Sequence, residues 1–208
     1  MSSQSGQRES IKVVAPEDRP RVIAILTVAF AMCPLLRWLY PEPDRFLRHF
    51  AGFLDFYAGD PYADRSGAYF DGGDKGALLW LTDKAPRDDA AMMRFLLGSV
   101  PDYRRTETEK IFEKFGKYHP KESHWYFTML GIDPIHQRSG LGGLLYRHGL
   151  AILDEAKGLA FTEATSLKAA RLYERLGWQI VGEVQIGSSP PFFPMLRPSL
   201  ERGASEWV

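Results

Sequence analysis

Between His124 and Gly158 the chain reads HWYFTMLGIDPIHQRSGLGGLLYRHGLAILDEAKG, and this stretch narrows the choice of fold more than any other. Its apolar, aromatic beginning, Trp125 to Ile132, predicts a buried strand. A polar loop carrying several glycines follows, from Asp133 to Gly143. Leu141, Leu144, Leu145, Ala151 and Ile152 then keep helical spacing until Gly158 ends the run. A strand that feeds a glycine-rich turn and then a helix is a device for holding anions. Its backbone N–H groups converge without side-chain obstruction, and the helix N-terminus adds partial positive charge. The first expectation is a ligand bearing a pyrophosphate or similar anion.

The rest of the chain supplies the elements around that unit. Residues 1–9 are polar and read as a frayed tail. Ile11–Val14 predicts a strand, and Pro16-Glu17-Asp18 opens a helix with a proline in its first turn and acids at the positive dipole end. That helix runs through Ala29. Pro34 and the Pro41-Glu42-Pro43 segment break it, leaving an elbow that carries Phe30, Trp38 and Tyr40. A helix follows from Asp44 to about Ala58, with Phe46, Phe50, Phe53, Leu54 and Tyr57 on one side. Gly67–Phe70 and Ala77–Leu81 flank the turn residues 71–76 as a hairpin. Residues 86–120 predict two helical pieces divided near Gly98 and Pro101, the second so rich in mixed charge that it reads as a solvated face. Beyond the central unit come a strand at Leu159–Ala164, a helix from about Ser166 to Leu176, and strands at Trp178–Val184 and Phe192–Leu196. This order argues for one α/β domain over residues 1–208, a mixed sheet with helices on both faces.

Charge and cysteine content disfavour some classes of function. Lys and Arg together equal Asp and Glu at 26 each, so no global field favours nucleic acid or an acidic membrane. The one cysteine, Cys33, cannot form an internal disulfide, and its apolar surroundings predict a buried, inert thiol. The apolar run Val22–Leu36 is shorter than the ~20 residues that span a bilayer and contains Pro34. A core helix, no membrane partner and a cytoplasmic protein are expected.

Known phosphate cradles can be tested against the loop. A G-x-x-x-x-G-K-[ST] run is missing, and in the G-x-G-x-x-G pattern begun by Gly140-Leu141-Gly142 the third glycine is replaced by Leu145. Gln137-Arg138-Ser139-Gly140-Leu141-Gly142, preceded by a strand, instead resembles the Q/R-x-x-G-x-G/A acyl-CoA motif of the GCN5-related N-acetyltransferase (GNAT) superfamily. Tyr173-Glu174-Arg175-Leu176-Gly177-Trp178 is similar to a second family signature, at the end of the last core helix. A narrower likeness, through His119–Glu122, Trp125–Phe127 and Asp133–Gln137, is to the puromycin N-acetyltransferases. It lies mostly in the shared cofactor core and says little about the acceptor.

The resemblance implies the family fold: a mostly antiparallel central sheet with helices on both faces and a V-shaped splay between its two central strands. It implies acetyl-CoA as cofactor. Backbone groups of Leu130 and Ile132 would meet the pantetheine arm, with Gly131 permitting a β-bulge between them. Gln137 would shape the loop, while Arg138, Ser139, Gly140, Leu141, Gly142 and Gly143 would hold the pyrophosphate. Ser166 stands where many relatives have an asparagine that contacts pantetheine, a longer reach than a hydroxyl has, and Ala169 matches the family's small residue. Tyr173 would be the general acid that protonates the leaving thiolate.

Glu163 is the best carboxylate for the general base, directly or through water. His124, His136 and His148 are weaker candidates and form no metal-ligand set with Cys33, so no metal is expected. The acceptor pocket would lie between Phe30, Trp38 and Tyr40 and the final strands at Phe192 and Phe193, whose rings suit a small amine. The leading expectation is transfer of acetyl from acetyl-CoA to the primary amine of a small molecule by direct attack in a ternary complex. A non-catalytic acyl-CoA sensor and a protein or peptide N-acetyltransferase are the alternatives. No nucleic-acid partner is expected, and a homodimer is left open.

Overall fold

The side chains of one strand decide which helices cover which face of the sheet. In the computed structural model, which describes residues 10–71 and 73–200, β4 spans Trp125–Ile132. The segment 1–9, expected as a tail, lies outside the described residues. Around β4 the chain builds a seven-stranded sheet in the order β1-β2-β3-β4-β5-β7-β6. Its strands are β1 Ser10–Val13, β2 Gly67–Asp71, β3 Gly76–Leu81, β5 Ala160–Ala164, β6 Gln179–Ile180 and β7 Phe193–Arg197. Every pairing is antiparallel except β4 with β5.

Helices cover both faces. On one side lie α1 (Arg19–Phe30), α2 (Pro34–Leu39), α3 (Pro43–Tyr57), α4 (Asp89–Ser99) and α5 (Arg105–Gly116). They pack a core that includes Leu26, Phe50, Ile111 and Phe115 against Tyr69, Ala77, Leu79 and Met129 of the sheet. On the other lie α6 (Leu141–Glu155) and α7 (Leu167–Glu174), where Leu145, Leu150, Leu153 and Tyr173 meet Phe70, Leu78, Trp80 and Phe127. Burying these side chains, at ~25 cal/mol per Å² of apolar surface, is the main drive for the two layers.

Pro34 corrects one expectation. It occupies the first turn of α2 rather than only ending a helix, because a first-turn residue has no intrahelical use for the N–H that proline lacks. A short 3₁₀ turn at Pro16–Asp18 precedes α1. The strand expected over Trp178–Val184 shrinks to Gln179–Ile180, with an isolated bridge from Val184 to Phe192.

The β-bulge is present but not at Gly131. Leu79 pairs with Met129 and Trp80 with Phe127, which leaves Thr128 as the extra residue on β4. Its hydroxyl donates to the Leu79 carbonyl at 3.2 Å. The extra residue inverts the in-out alternation: Tyr126 packs on the α3 side, yet Leu130 and Ile132 turn toward α6. Gly131 has a different cause. A Cβ there would stand 2.7 Å from the Ala29 Cβ and 2.8 Å from Leu26 Cδ2, so glycine lets α1 lie directly on the strand.

Candidate active site

The two central strands part soon after they meet. β4 and β5 pair only at Trp125 with Ala160 and Tyr126 with Phe161. At the next step the Thr162 hydroxyl donates to the Phe127 carbonyl at 2.7 Å in place of a backbone N–H. Beyond it the edge of β4 is open. The bond from Asp133 N–H to the Lys75 carbonyl, 2.9 Å, fixes the ladder phase: Gly131 and Met129 bond toward β3, whereas the backbones of Leu130 and Ile132 point into the gap. Gln137 reaches the same edge, its Nε2 donating to the Ile132 carbonyl at 3.1 Å.

The loop after β4 turns into α6 through two residues of positive φ, Arg138 at 64° and Gly140 at 86°. Gly140 is the N-cap of α6 and offers no side chain to the first-turn N–H groups. Those donors face outward, with the helix dipole behind them. Gln137, Arg138, Gly140, Leu141, Gly142 and Gly143 line a cleft of about 480 Å³, closed on its far side by Ser166, Ala169 and Tyr173. His136, Lys168 and Arg175 add basic groups. Capless N–H groups, a left-handed glycine and basic side chains suit a diphosphate. The Ser166 hydroxyl is used locally, accepting from Ala169 N–H at 3.2 Å as the cap of α7. Ser139 likewise turns back on the loop, donating to the His136 carbonyl at 2.6 Å.

Leu130, Ala169 and Tyr173 also border a second space, an apolar chamber of about 110 Å³ in the mouth of the splay. Tyr173 is 8% exposed and lies flat on Tyr146, with ring centroids 4.7 Å apart and planes 8° from parallel. Burial, with a smaller contribution from Cys33, pushes its phenol well above the ordinary range. The Tyr173 hydroxyl therefore stays protonated. Cys33 lines the chamber instead of being lost in the core. Its thiol too is pushed up, chiefly by burial, so it is held neutral.

Glu163 lines the same chamber. Its side chain is 3% exposed, and Tyr126 and Tyr57 both donate to Oε2, at 2.6 and 3.0 Å. Burial and the nearby carboxylate push both phenols well above their usual range, so each remains a donor. The other oxygen, Oε1, has no hydrogen-bond partner; His119 Nε2 lies 3.5 Å away. From His119 a polar string runs outward: its Nδ1 is 3.2 Å from His124 Nε2, and His124 Nδ1 is 2.7 Å from the Glu122 carbonyl. Burial lowers the His124 pKa.

A third space, about 740 Å³, opens on the α3–α5 side of the sheet and shares Tyr57, Phe112, Phe115 and Glu163 with the chamber. Its rim includes Glu109, Lys110 and Glu113, so the charged side of α5 is more than a solvated face. The aromatic elbow, in contrast, is mostly core. Phe30 lines the chamber, but Tyr40 is fully buried with its hydroxyl on Ser99 Oγ at 2.9 Å. Trp38 donates to Ser188 Oγ at 3.1 Å under the Arg104 guanidinium. Phe192 is fully buried against Phe115, 3.9 Å between centroids. None of these three can wall an acceptor, because each has spent its surface on the protein itself. His119, Tyr57 and Tyr126, absent from the expected site, line the third space together with Glu163. Among the described residues no group of three or more His, Cys, Asp or Glu is placed to hold a metal ion, and no helix is long and apolar enough to cross a membrane.

Residues 99–178 match the family described as Acetyltransferase (GNAT) family. That segment runs from the end of α4 through both motifs to Trp178. Solved structures share the fold. A histone acetyltransferase HPA2 and related acetyltransferase from Corynebacterium glutamicum is 23% identical, with a TM-score of 0.64 over 93% of this chain and 97% of that one. Arylalkylamine N-acetyltransferase 2 from Aedes aegypti is 13% identical, also at a TM-score of 0.64, over 91% and 98%. A ribosomal-protein alanine N-acetyltransferase from Escherichia coli is 16% identical, with a TM-score of 0.55 over 97% and 100%.

Proposed function

We propose that this chain, which carries a GNAT-family acetyltransferase segment over residues 99–178, transfers an acetyl group from acetyl-CoA to the primary amine of a small molecule. The observation that carries the reading is the continuity of the three spaces. Tyr173 belongs to the first and second, Glu163 to the second and third, and the first and third share no residue. Tyr173 and Glu163 thus line one chamber, and each also borders a different outer space, which gives the two reactants separate approaches.

In this reading the loop 137–143 and the first turn of α6 hold the diphosphate of the donor. The open edge of β4 at Leu130 and Ile132 pairs with the pantetheine arm. A backbone N–H there polarises the thioester carbonyl and stabilises the oxyanion that follows. Glu163 Oε1, with His119 beside it, takes a proton from the acceptor ammonium. The freed nitrogen attacks the carbonyl carbon, a C–N bond forms, and collapse of the tetrahedral species breaks the C–S bond. Tyr173 gives its proton to the departing thiolate, two groups of similar acidity in water, and its phenolate recovers a proton from the second N–H that the attacking nitrogen sheds on becoming an amide. The products are the amide and CoA. Positioning in the ternary complex supplies much of the rate.

The fold relatives act on acceptors of different kinds, an arylalkylamine in one case and a ribosomal-protein alanine in another, so they do not choose among acceptors. The pocketed base favours a small molecule. An assay of CoA release against a panel of amines and N-terminal peptides tests the proposal. Transfer to small amines supports it; acetyl-CoA binding with no transfer to any acceptor would leave a sensor, and transfer to peptides alone would move the activity to proteins.

A further inference from the structure

Resting on that acetyltransferase reading, we propose that the 740 Å³ cavity on the α3–α5 side is the acceptor site, and that it takes a monocationic amine on an aromatic or apolar body while rejecting amines that carry a carboxylate.

Three observations carry this. The first is Glu163 Oε1, buried on a residue that lines the cavity and without a hydrogen bond, its neighbour His119 Nε2 lying 3.5 Å away. A carboxylate oxygen out of contact with water and without a donor is costly, and an ammonium group removes that cost. Tyr57 and Tyr126 already hold Oε2, and His119 Nε2, the side chain facing Oε1, stops 3.5 Å short of it, which leaves that oxygen to bond an ammonium.

The second is charge. Asp88, Asp89, Glu109, Glu113 and Glu163 line the cavity, against Arg87, Lys110 and the imidazoles of His119 and His124. Arg87 is already engaged: its guanidinium is 3.2 Å from Asp89, reaches His119 Nδ1 at the same distance, and lies over the Tyr126 ring at 5.0 Å. Lys117 pairs with Glu113 at 2.9 Å. The excess of carboxylates attracts a cation and repels an anion.

The third is the wall. Phe56 is 44% exposed, unusual for so large a ring, and with Met92, Met93 and Phe112 it forms an apolar side to the cavity. A volume of about 740 Å³ is far more than an ammonium needs and falls within the range of small-molecule sites. Ring and thioether surfaces there fit an apolar body held behind the amine.

A matched pair of probes separates charge from shape: 2-phenylethylamine and phenylalanine share ring and amine, but the second adds a carboxylate. The expected kcat/KM with acetyl-CoA favours 2-phenylethylamine by at least about tenfold. Reversing the rim with E109K/E113K, two exposed positions, is expected to raise the KM for 2-phenylethylamine several-fold, an effect that fades as salt is raised. Binding is read independently of turnover by thermal shift. 2-Phenylethylamine should raise the Tm of the wild type and not of Glu163→Gln. A Tm response without acetyl transfer would keep the site and remove the acetyltransferase reading. Equal use of phenylalanine, or no Tm response to the amine, would overturn the site assignment.

Discussion

The Thr162 hydroxyl lies 2.7 Å from the Phe127 carbonyl, at the step where β4 and β5 cease to pair. A side chain there does the work of the missing ladder bond, so the strands can diverge without leaving a buried carbonyl unpartnered. Thr162 is 4% exposed, and water cannot substitute easily. Thr162→Val, nearly the same shape, should cost about 1–3 kcal/mol and weaken CoA binding, as measured by urea unfolding and calorimetry. Thr162→Ser should restore most of both.

Tyr173→Phe keeps the ring stacked on Tyr146 and removes only the proton. The expected outcome is a fall in kcat of roughly 10²–10⁴-fold, the usual size of a general-acid contribution, with the Kd for CoA unchanged. Steady-state kinetics with titration calorimetry separates the two. Full turnover in the variant would remove Tyr173 from the reaction.

Stability should fall on acidification through His124. Burial lowers its pKa in the folded state, so near and below the unfolded value of about 6.5 the unfolded chain binds more protons. The stabilisation is complete above that pH and is lost as pH falls through the folded value. Chemical denaturation at pH 8 and pH 5 should show the loss, and His124→Gln should show a smaller one. Equal pH dependence in the two proteins would assign the effect to other groups.

The glycines should separate into two kinds. Gly131→Ala would put a Cβ at 2.7 Å from Ala29 Cβ and 2.8 Å from Leu26 Cδ2, so α1 must shift, at a cost of about 1–3 kcal/mol. Gly142→Ala meets only Ile132 Cγ1 at 3.4 Å and should fold normally. Gly140→Ala meets no atom, but its φ of 86° disfavours any side chain by about 1–2 kcal/mol. Melting temperatures of the three variants check the ranking.

The loop side of this arrangement was largely legible in the sequence because it is local. A strand, a loop and a helix follow one another between Trp125 and Glu155, and glycine at the helix entrance has a direct backbone reason. The surroundings of Glu163 were not. Tyr57 bonds Glu163 across 106 residues and Tyr126 does so across 37, separations that no periodicity reports. His119 entered only through a family likeness that said nothing of Glu163 beside it. Aromatic content misled at Trp38, Tyr40 and Phe192, since a ring in the core and a ring on a pocket wall have the same composition. The bulge was expected at the residue type that tolerates it. Thr128 holds it instead, because its hydroxyl can bond the Leu79 carbonyl.

One extra residue in β4 thus bears on how the two sides of the sheet can change separately. By inverting the alternation after Thr128, it sends Leu130 and Ile132 to one side of the sheet while Tyr126 stays on the other. The first and third spaces share no lining residue, and each shares walls with the chamber between them. Substitutions in α4 or α5 can therefore redraw one doorway without touching the hinges of the other, and a new clientele can be admitted while the supply line stays as it was.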